Sequence, residues 1–233
     1  MQPLRIFVGY DGDVEPVAFF TFCQSVIEHS TIPVSFTPLS LNHFKFYEEN
    51  HGDGSNAFIY SRFLVPYLCN YKGHALFCDG DMIVRADVKE LLELADPYHA
   101  VHVVTHEYKT KHPVKYLGAK NEDYPCKNWS SVILWNCQHW QNKKLTPELV
   151  MNQSGAFLHR FKWLENRFIG ELPVEWNHLV GEYDFNDNAK LAHFTLGTPC
   201  FKDYQNTDYA DEWWDVYQQM IYPLTGNAKA SKL

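Results

Sequence analysis

Short runs that are apolar at every position most constrain this fold. Ile6-Phe7-Val8, Ala75-Leu76-Phe77-Cys78, Met82-Ile83-Val84 and Val132-Ile133-Leu134-Trp135 do not alternate apolar with polar residues. A strand with one wet face alternates, whereas a strand covered on both faces reads as a continuous apolar run. The first run lies in Leu4–Gly9, and Val34–Leu39 reads as a second strand. Between them, residues 16–28 carry Val17, Phe20, Cys23, Val26 and Ile27 near helical spacing, with Pro16 suited to a first turn. Strand, helix and strand within forty residues predict an α/β fold.

The same reading predicts helices over 57–70, 87–94 with Asp87 as N-cap, 147–164 with an interruption near Gly155, and 208–222. Further strands are expected over 101–105, 132–135 and 191–196. Residues 106–128 mix Lys, His, Pro, Asn and Asp without period and read as a long loop, and such loops in compact domains often carry function. Residues 177–190 are polar and turn-like. With 233 residues, 45% hydrophobic and 21% charged, the chain is expected to form one domain over 1–233 without a disulfide or metal to hold it together.

Charge and cysteine usage narrow the partners. A formal charge of -8 disfavours nucleic acid, and a phosphorylated substrate would need an intervening cation. No stretch of 18 apolar residues exists, so no membrane span is expected, and the N-terminus lacks a signal-peptide layout. The six cysteines form no Cys-x-x-Cys pair, which points to a reducing, cytoplasmic setting without a zinc site. The terminal Ser231-Lys232-Leu233 matches a peroxisomal address for a eukaryotic source, but three residues do not decide localisation.

The densest chemistry is Asp79-Gly80-Asp81, set between two of the apolar runs. Residues i and i+2 of an extended segment point the same way, so both carboxylates can converge on one hard cation. Parallel α/β sheets place their ligand crevice at the carboxyl edge of the strands, where this element falls. The alternative is a plain turn, for which Asp-Gly-Asp is also suited.

This element resembles the Asp-x-Asp motif of GT-A-fold glycosyltransferases, and its surroundings resemble family 8, which includes glycogenin and bacterial galactosyltransferases. Ile6-Phe7-Val8-Gly9-Tyr10-Asp11 is similar to that family's first strand, Tyr60-Ser61-Arg62-Phe63 with Pro66 to its Tyr-x-Arg helix, and 76–84 to its Asp-x-Asp strand. Residues 128–136 resemble its Phe-Asn-x-Gly-Val-Leu-Leu-x-Asn segment, and Leu172-Pro173 with Trp176-Asn177 resembles a later Leu-Pro-x-x-Tyr-Asn. His193-Phe194, Gly197 and Lys202 are similar to its terminal His-Tyr-x-Gly-x-x-Lys.

The resemblance implies a GT-A-like domain with a mixed, mostly parallel central sheet flanked by helices. It implies a metal-dependent, retaining transferase that moves a hexose from a UDP-sugar to a hydroxyl acceptor, carbohydrate or lipid-linked. Asp79, Asp81 and His193 would hold Mn2+ or Mg2+, the imidazole favouring Mn2+. Val8, Tyr10, Asp11, Asp13, Tyr60, Arg62, Gly80, Gly197 and Lys202 would contact the nucleotide. Asn128 and Gln153 would contact the sugar, with Gln153 at the family's catalytic position.

The chain departs from the family in having Trp129 where an Asn stands and Asn152-Gln153 in place of Asp-Gln. An amide is a poor nucleophile, so front-face return assisted by the leaving diphosphate is expected rather than a covalent intermediate. Arg62 admits a second reading as the partner of an Asp, and Asp11 and Asp13 as a turn and a helix cap. The aromatic helix 208–222 has acidic neighbours, so core packing or a contact between copies is expected rather than membrane association.

Two other functions share some of these features. A haloacid-dehalogenase-type phosphatase also carries Asp-x-Asp after an apolar strand, but Glu15 and Ile83 stand where it needs Thr or Val. A non-catalytic sugar-nucleotide-binding protein would keep the acids without turnover.

Overall fold

The computed structural model describes residues 2–49, 51 and 59–225. Ala57 and Phe58, at the start of the expected second helix, and the terminal Ser231-Lys232-Leu233 lie outside the described residues.

The apolar runs do become central strands. A six-stranded sheet has the order β2-β1-β3-β6-β5-β7, built from β1 (Leu4–Gly9), β2 (Val34–Leu39), β3 (His74–Cys78), β5 (Val101–Val103), β6 (Val132–Asn136) and β7 (Ile169–Glu171). Only β6 runs against the others. A smaller sheet, β4-β9-β8, joins β4 (Met82–Val84), β9 (Leu191–His193) and β8 (His178–Leu179). The fold is therefore α/β with a mixed, mostly parallel sheet, as expected.

Both faces of the large sheet are covered, which explains the unbroken runs. Phe7, Phe77 and Trp135 pack with Phe63 and Trp163 on one face. Ile6, Val8, Leu76 and Leu134 pack with Phe22 and Trp176 on the other. Helix α1 (Pro16–His29) begins on its proline, and Ser25 Oγ accepts from Val84 N at 3.0 Å, tying it to β4. Helix α3 (Val88–Glu93) has Asp87 as its cap, accepting from Lys89 N at 2.9 Å.

Two expected helices are shorter. The second is a 3-10 turn, Ser61–Leu64, followed by α2 (Val65–Leu68), and it ends where Asn70 and Tyr71 take positive φ. The segment expected over 147–164 is α4 (Pro147–Asn152) and α5 (Gly155–His159), broken where Ser154 caps α5 by accepting from Phe157 N at 3.2 Å. A Cβ at Gly155 would meet Tyr60 Oη at 2.5 Å, so glycine is required at the break. Helix α6 (Ala210–Thr225) packs against α1 and seats Trp213, fully buried, with Ile83, Ala192 and Phe194. That places the first half of the aromatic helix in the core. No helix among the described residues is long and apolar enough to cross a membrane.

Candidate active site

Strands β1 and β3 are parallel neighbours in register, Val8 beside Cys78, so their carboxyl ends leave the sheet together. Gly80 is the reason they can: a Cβ there would meet the Gly9 carbonyl oxygen at 2.7 Å. This contact brings Asp11 and the Asp79–Asp81 turn to one small recess that Glu15 and Tyr116 close. Asp81 leads directly into β4, which pairs with β9 so that Met82 faces His193. Phe194 N donates to the Asp81 carbonyl at 2.9 Å. The small sheet thus delivers a residue from far along the chain to the acid pair.

One ligand atom from each of Asp79, Asp81 and His193 lies within 4.8 Å of the other two. His193 Nδ1 is 2.9 Å from Asn177 Oδ1. The Asn177 amide is oriented by Nδ2, which donates to the Asn128 carbonyl at 3.1 Å, so its oxygen faces the ring. Nδ1 therefore donates to Asn177, and Nε2 is the nitrogen left to face the acids, 3.4 Å from Asp81 Oδ1.

Arg62 holds Asp79 from the other side. Nη2 is 2.9 Å from Oδ1, Nη1 donates to Oδ2 at 3.4 Å and to the Ser130 carbonyl at 2.8 Å, and Nε donates to the Ile59 carbonyl. Arg62 thus makes the ion pair with an Asp, and it also lines the cavity beside the acid pair, so its two sequence readings are compatible. Asp79 Oδ1 and Asp81 Oδ1 are buried and lack an aligned hydrogen bond among the described residues. Two such oxygens beside an imidazole nitrogen suit a divalent cation.

Electrostatics agree with that fit. Burial pushes the Asp79 carboxyl above its ordinary range. Burial, and then the charge of Asp81, push Glu15 up to about 8, with Thr198 Oγ1 donating to it at 2.9 Å. The part of that rise that comes from Asp81, Asp11 and Asp79 is the part a cation would relieve.

Beside the acid pair opens a cavity of about 330 Å³, lined also by Lys115, Asn128 and Thr195. Much of its wall comes from the aperiodic segment 106–128, which folds inward. Glu182, buried, accepts from Lys111 N at 2.7 Å and from Asn121 Nδ2 at 2.8 Å, and Tyr116 N donates to the Leu196 carbonyl at 2.8 Å. These anchors set two lysines on the wall. Lys115 Nζ lies 3.4 Å from Thr195 Oγ1, and burial lowers its pKa against the opposing pull of Asp81 and Asp79. Lys127 Nζ donates to Asn121 Oδ1 at 2.6 Å and Thr110 Oγ1 at 2.7 Å. Asn128 takes φ 62°, a left-handed backbone that Asn tolerates, and Nδ2 donates to Tyr108 Oη at 3.0 Å. Trp129, the neighbour that replaces the family's Asn, instead donates from Nε1 to the His106 carbonyl.

The remaining residues singled out in the sequence fall as follows. Val8, within β1, is fully buried in the core, and Tyr10 packs edge-on against Phe19 at 5.4 Å. Asp11 Oδ1 accepts from Asp13 N and Val14 N, while Asp13 is exposed. Tyr60 is buried against His51, ring centres 3.8 Å apart, and does not line the cavity. Gly197, at φ 152°, lies against Tyr204 and Tyr116. Lys202 is exposed on a 3-10 turn and lines a different recess. Gln153 ends α4, with its carbonyl accepting from His51 Nε2 at 2.6 Å, and does not line the cavity. Sequence reading missed Glu15, Lys115, Lys127, Thr195 and the orienting role of Asn177. The quoted Trp176-Asn177 pair was the one signal available for any of them.

No protein-family model matches the chain. Protein CDI of Arabidopsis thaliana is 42% identical over 221 residues, covering 91% of this chain and 85% of that protein. Among solved structures, the chain superposes on the bifunctional glycosyltransferase WbbM with TM-score 0.65 at 14% identity, covering 96% of this chain but only 51% of that one, about half its length. The glycosyltransferase GlyE of Streptococcus pneumoniae TIGR4 gives TM-score 0.61 at 14% identity over 100% of this chain and 66% of that one. The galactosyltransferase LgtC, solved with donor and acceptor sugar analogs, gives 0.60 at 12% identity, covering 93% of this chain and 96% of its own. The architecture is the GT-A fold of these glycosyltransferases.

Proposed function

This chain belongs to the family of the Arabidopsis thaliana protein CDI, and we propose that it is a metal-dependent glycosyltransferase that uses a UDP-sugar and retains the anomeric configuration. The observation that carries the reading is the convergence of Asp79, Asp81 and the tautomer-fixed His193 beside a cavity walled by lysines. The sequence likeness to family 8 supports the finer assignment of donor and stereochemistry.

Asp79, Asp81 and His193 would hold the ion, Mn2+ by the imidazole in the set. Held by these three side chains, a divalent cation would supply positive charge against the negative charge that develops on a diphosphate leaving group. Arg62 positions Asp79 and neutralises part of its charge. Lys115 faces the acid pair across the cavity and takes the role of phosphate cation that the sequence alone suggested for Lys202. Asp11, in the adjoining recess, would contact the nucleoside, and Asn128 the sugar.

Among the described residues, the carboxylates lining the cavity are Asp79, Asp81 and Glu122, and the Glu122 side chain is 77% exposed. Gln153 lies outside. This favours front-face return. The acceptor oxygen bonds to the anomeric carbon on the face the diphosphate leaves, and a diphosphate oxygen takes the acceptor proton. The acceptor is a hydroxyl on a carbohydrate or lipid-linked molecule.

A thermal-shift panel of nucleotides and nucleotide sugars, with and without Mn2+, tests the site. UDP should stabilise the protein only with Mn2+, and Asp81→Ala should abolish the effect. UDP release from a UDP-sugar separates the transferase from a mere binder, and hydrolysis of small phosphoesters would indicate a phosphatase.

A further inference from the structure

A second group of metal-ligating atoms lies at the opposite edge of the large sheet. Strands β3 and β5 are parallel, both pairing antiparallel with β6. The acid pair follows the carboxyl end of β3, whereas Asp96 and His99 precede the amino end of β5, on which His102 sits. We propose that Asp96, His99 and His102 form a binding site for a borderline divalent metal ion such as Zn2+, separate from the candidate active site and independent of the reading given to it.

The ligand atoms are already gathered. One atom from each side chain lies within 4.8 Å of the other two. Asp96 Oδ1 accepts from Tyr98 N at 2.8 Å and His99 N at 2.9 Å, which fixes the carboxylate. Its other oxygen, Oδ2, stands 2.6 Å from His99 Nδ1 and 3.1 Å from His102 Nε2. Metal–ligand bonds of about 2.0–2.2 Å at tetrahedral angles set ligand atoms roughly 3.3 Å apart, so a small outward relaxation accommodates an ion.

The ring of His102 is held in place by the neighbouring strand. A Cβ at Gly170 of β7 would meet His102 Cδ2 at 2.4 Å and Nε2 at 2.8 Å, so glycine there makes room for the imidazole. His102 is only 4% exposed, but the side chains of His99 and Asp96 are 28% and 40% exposed. The group is thus buried on one side and open on the other, which gives an ion an entry path and a position for water. Two imidazoles and one carboxylate select Zn2+, Co2+ or Fe2+ over Mg2+ or Ca2+. Bound, the ion would clamp the turn before β5 to the sheet edge.

The test uses the full chain carrying Asp81→Asn, which disables the candidate active-site ligands, after removal of metal with a chelator. Titration with Co2+ should give one equivalent of binding with the intense visible absorption of a four-coordinate site, bleached by Zn2+. Adding His99→Ala, a half-exposed position, should weaken Zn2+ binding roughly a hundredfold or more, and His102→Gln should do the same. In an Asp81-intact protein, His99→Ala should leave stabilisation by UDP with Mn2+ unchanged, which separates this site from the first. Absence of Co2+ binding in the Asp81→Asn protein, or binding that His99→Ala leaves intact, would overturn the assignment and leave only a hydrogen-bonded Asp-His-His turn.

Discussion

At the scale of single residues, the site works by holding atoms in fixed orientation. Asn177 makes no contact of its own with a ligand cation, yet its Oδ1 decides which imidazole nitrogen of His193 is free. Asn177→Ala should therefore weaken Mn2+ affinity by roughly tenfold to a hundredfold, read by calorimetry, while the fold persists. Lys115 and Lys202 make opposite predictions. Lys115→Ala should raise the Kd for UDP with Mn2+ by roughly tenfold, since it removes a charge-assisted contact, whereas Lys202→Ala, at an exposed position in another recess, should leave it within twofold of the unaltered protein. Equal effects from both would show that the cavity wall is misassigned. Gly80 has a packing role that precedes any ligand contact: Gly80→Ala drives a methyl against the Gly9 carbonyl and should cost about 1–3 kcal/mol in urea unfolding.

At the scale of elements, the strands were readable because burial on both faces leaves a continuous apolar run, and β1, β3, β4 and β6 all carry one. Strand β7 was not, because Ile169-Gly170-Glu171 is three residues with a glycine at the centre, required by the His102 ring rather than by any local preference. The segment expected over 57–70 showed its apolar face and its end, near Asn70 and Tyr71 with their positive φ, but not that Ser61–Leu64 would be a 3-10 turn. The acid pair and His193 were legible through their motifs. The inward fold of 106–128 was not, because it depends on Glu182, over sixty residues later, meeting two donors. Glu182→Ala should leave Lys111 N and Asn121 Nδ2 without that acceptor and loosen the segment. Limited proteolysis should then cut within 106–128 faster than in the unaltered protein, with a parallel loss of UDP affinity.

At the scale of the whole molecule, a chain of net charge -8 concentrates four carboxyls, Asp11, Glu15, Asp79 and Asp81, at one sheet edge, and it is there that an anionic donor is proposed to bind. A cation resolves that conflict, and Lys115 and Lys127 on the cavity wall complete the balance. Stability should follow pH through His106, a buried imidazole whose Nδ1 lies 2.7 Å from Tyr183 Oη. Burial lowers His106 from 6.5 to about 3, so the folded state keeps it neutral while the unfolded chain takes up a proton near 6.5. Its contribution is full above about pH 6.5 and declines as pH falls toward 3, by about 2 kcal/mol between pH 7 and pH 5. Urea midpoints at these two pH values should therefore differ less in His106→Asn than in the unaltered protein.

The most direct measurement is calorimetric titration of UDP into the metal-free protein, repeated with saturating Mn2+, for the unaltered chain and for His193→Ala. Binding that appears only with Mn2+, and is lost in His193→Ala, is the predicted result. UDP binding of equal strength with and without Mn2+ would contradict the claim that these acids and this imidazole work through a shared cation.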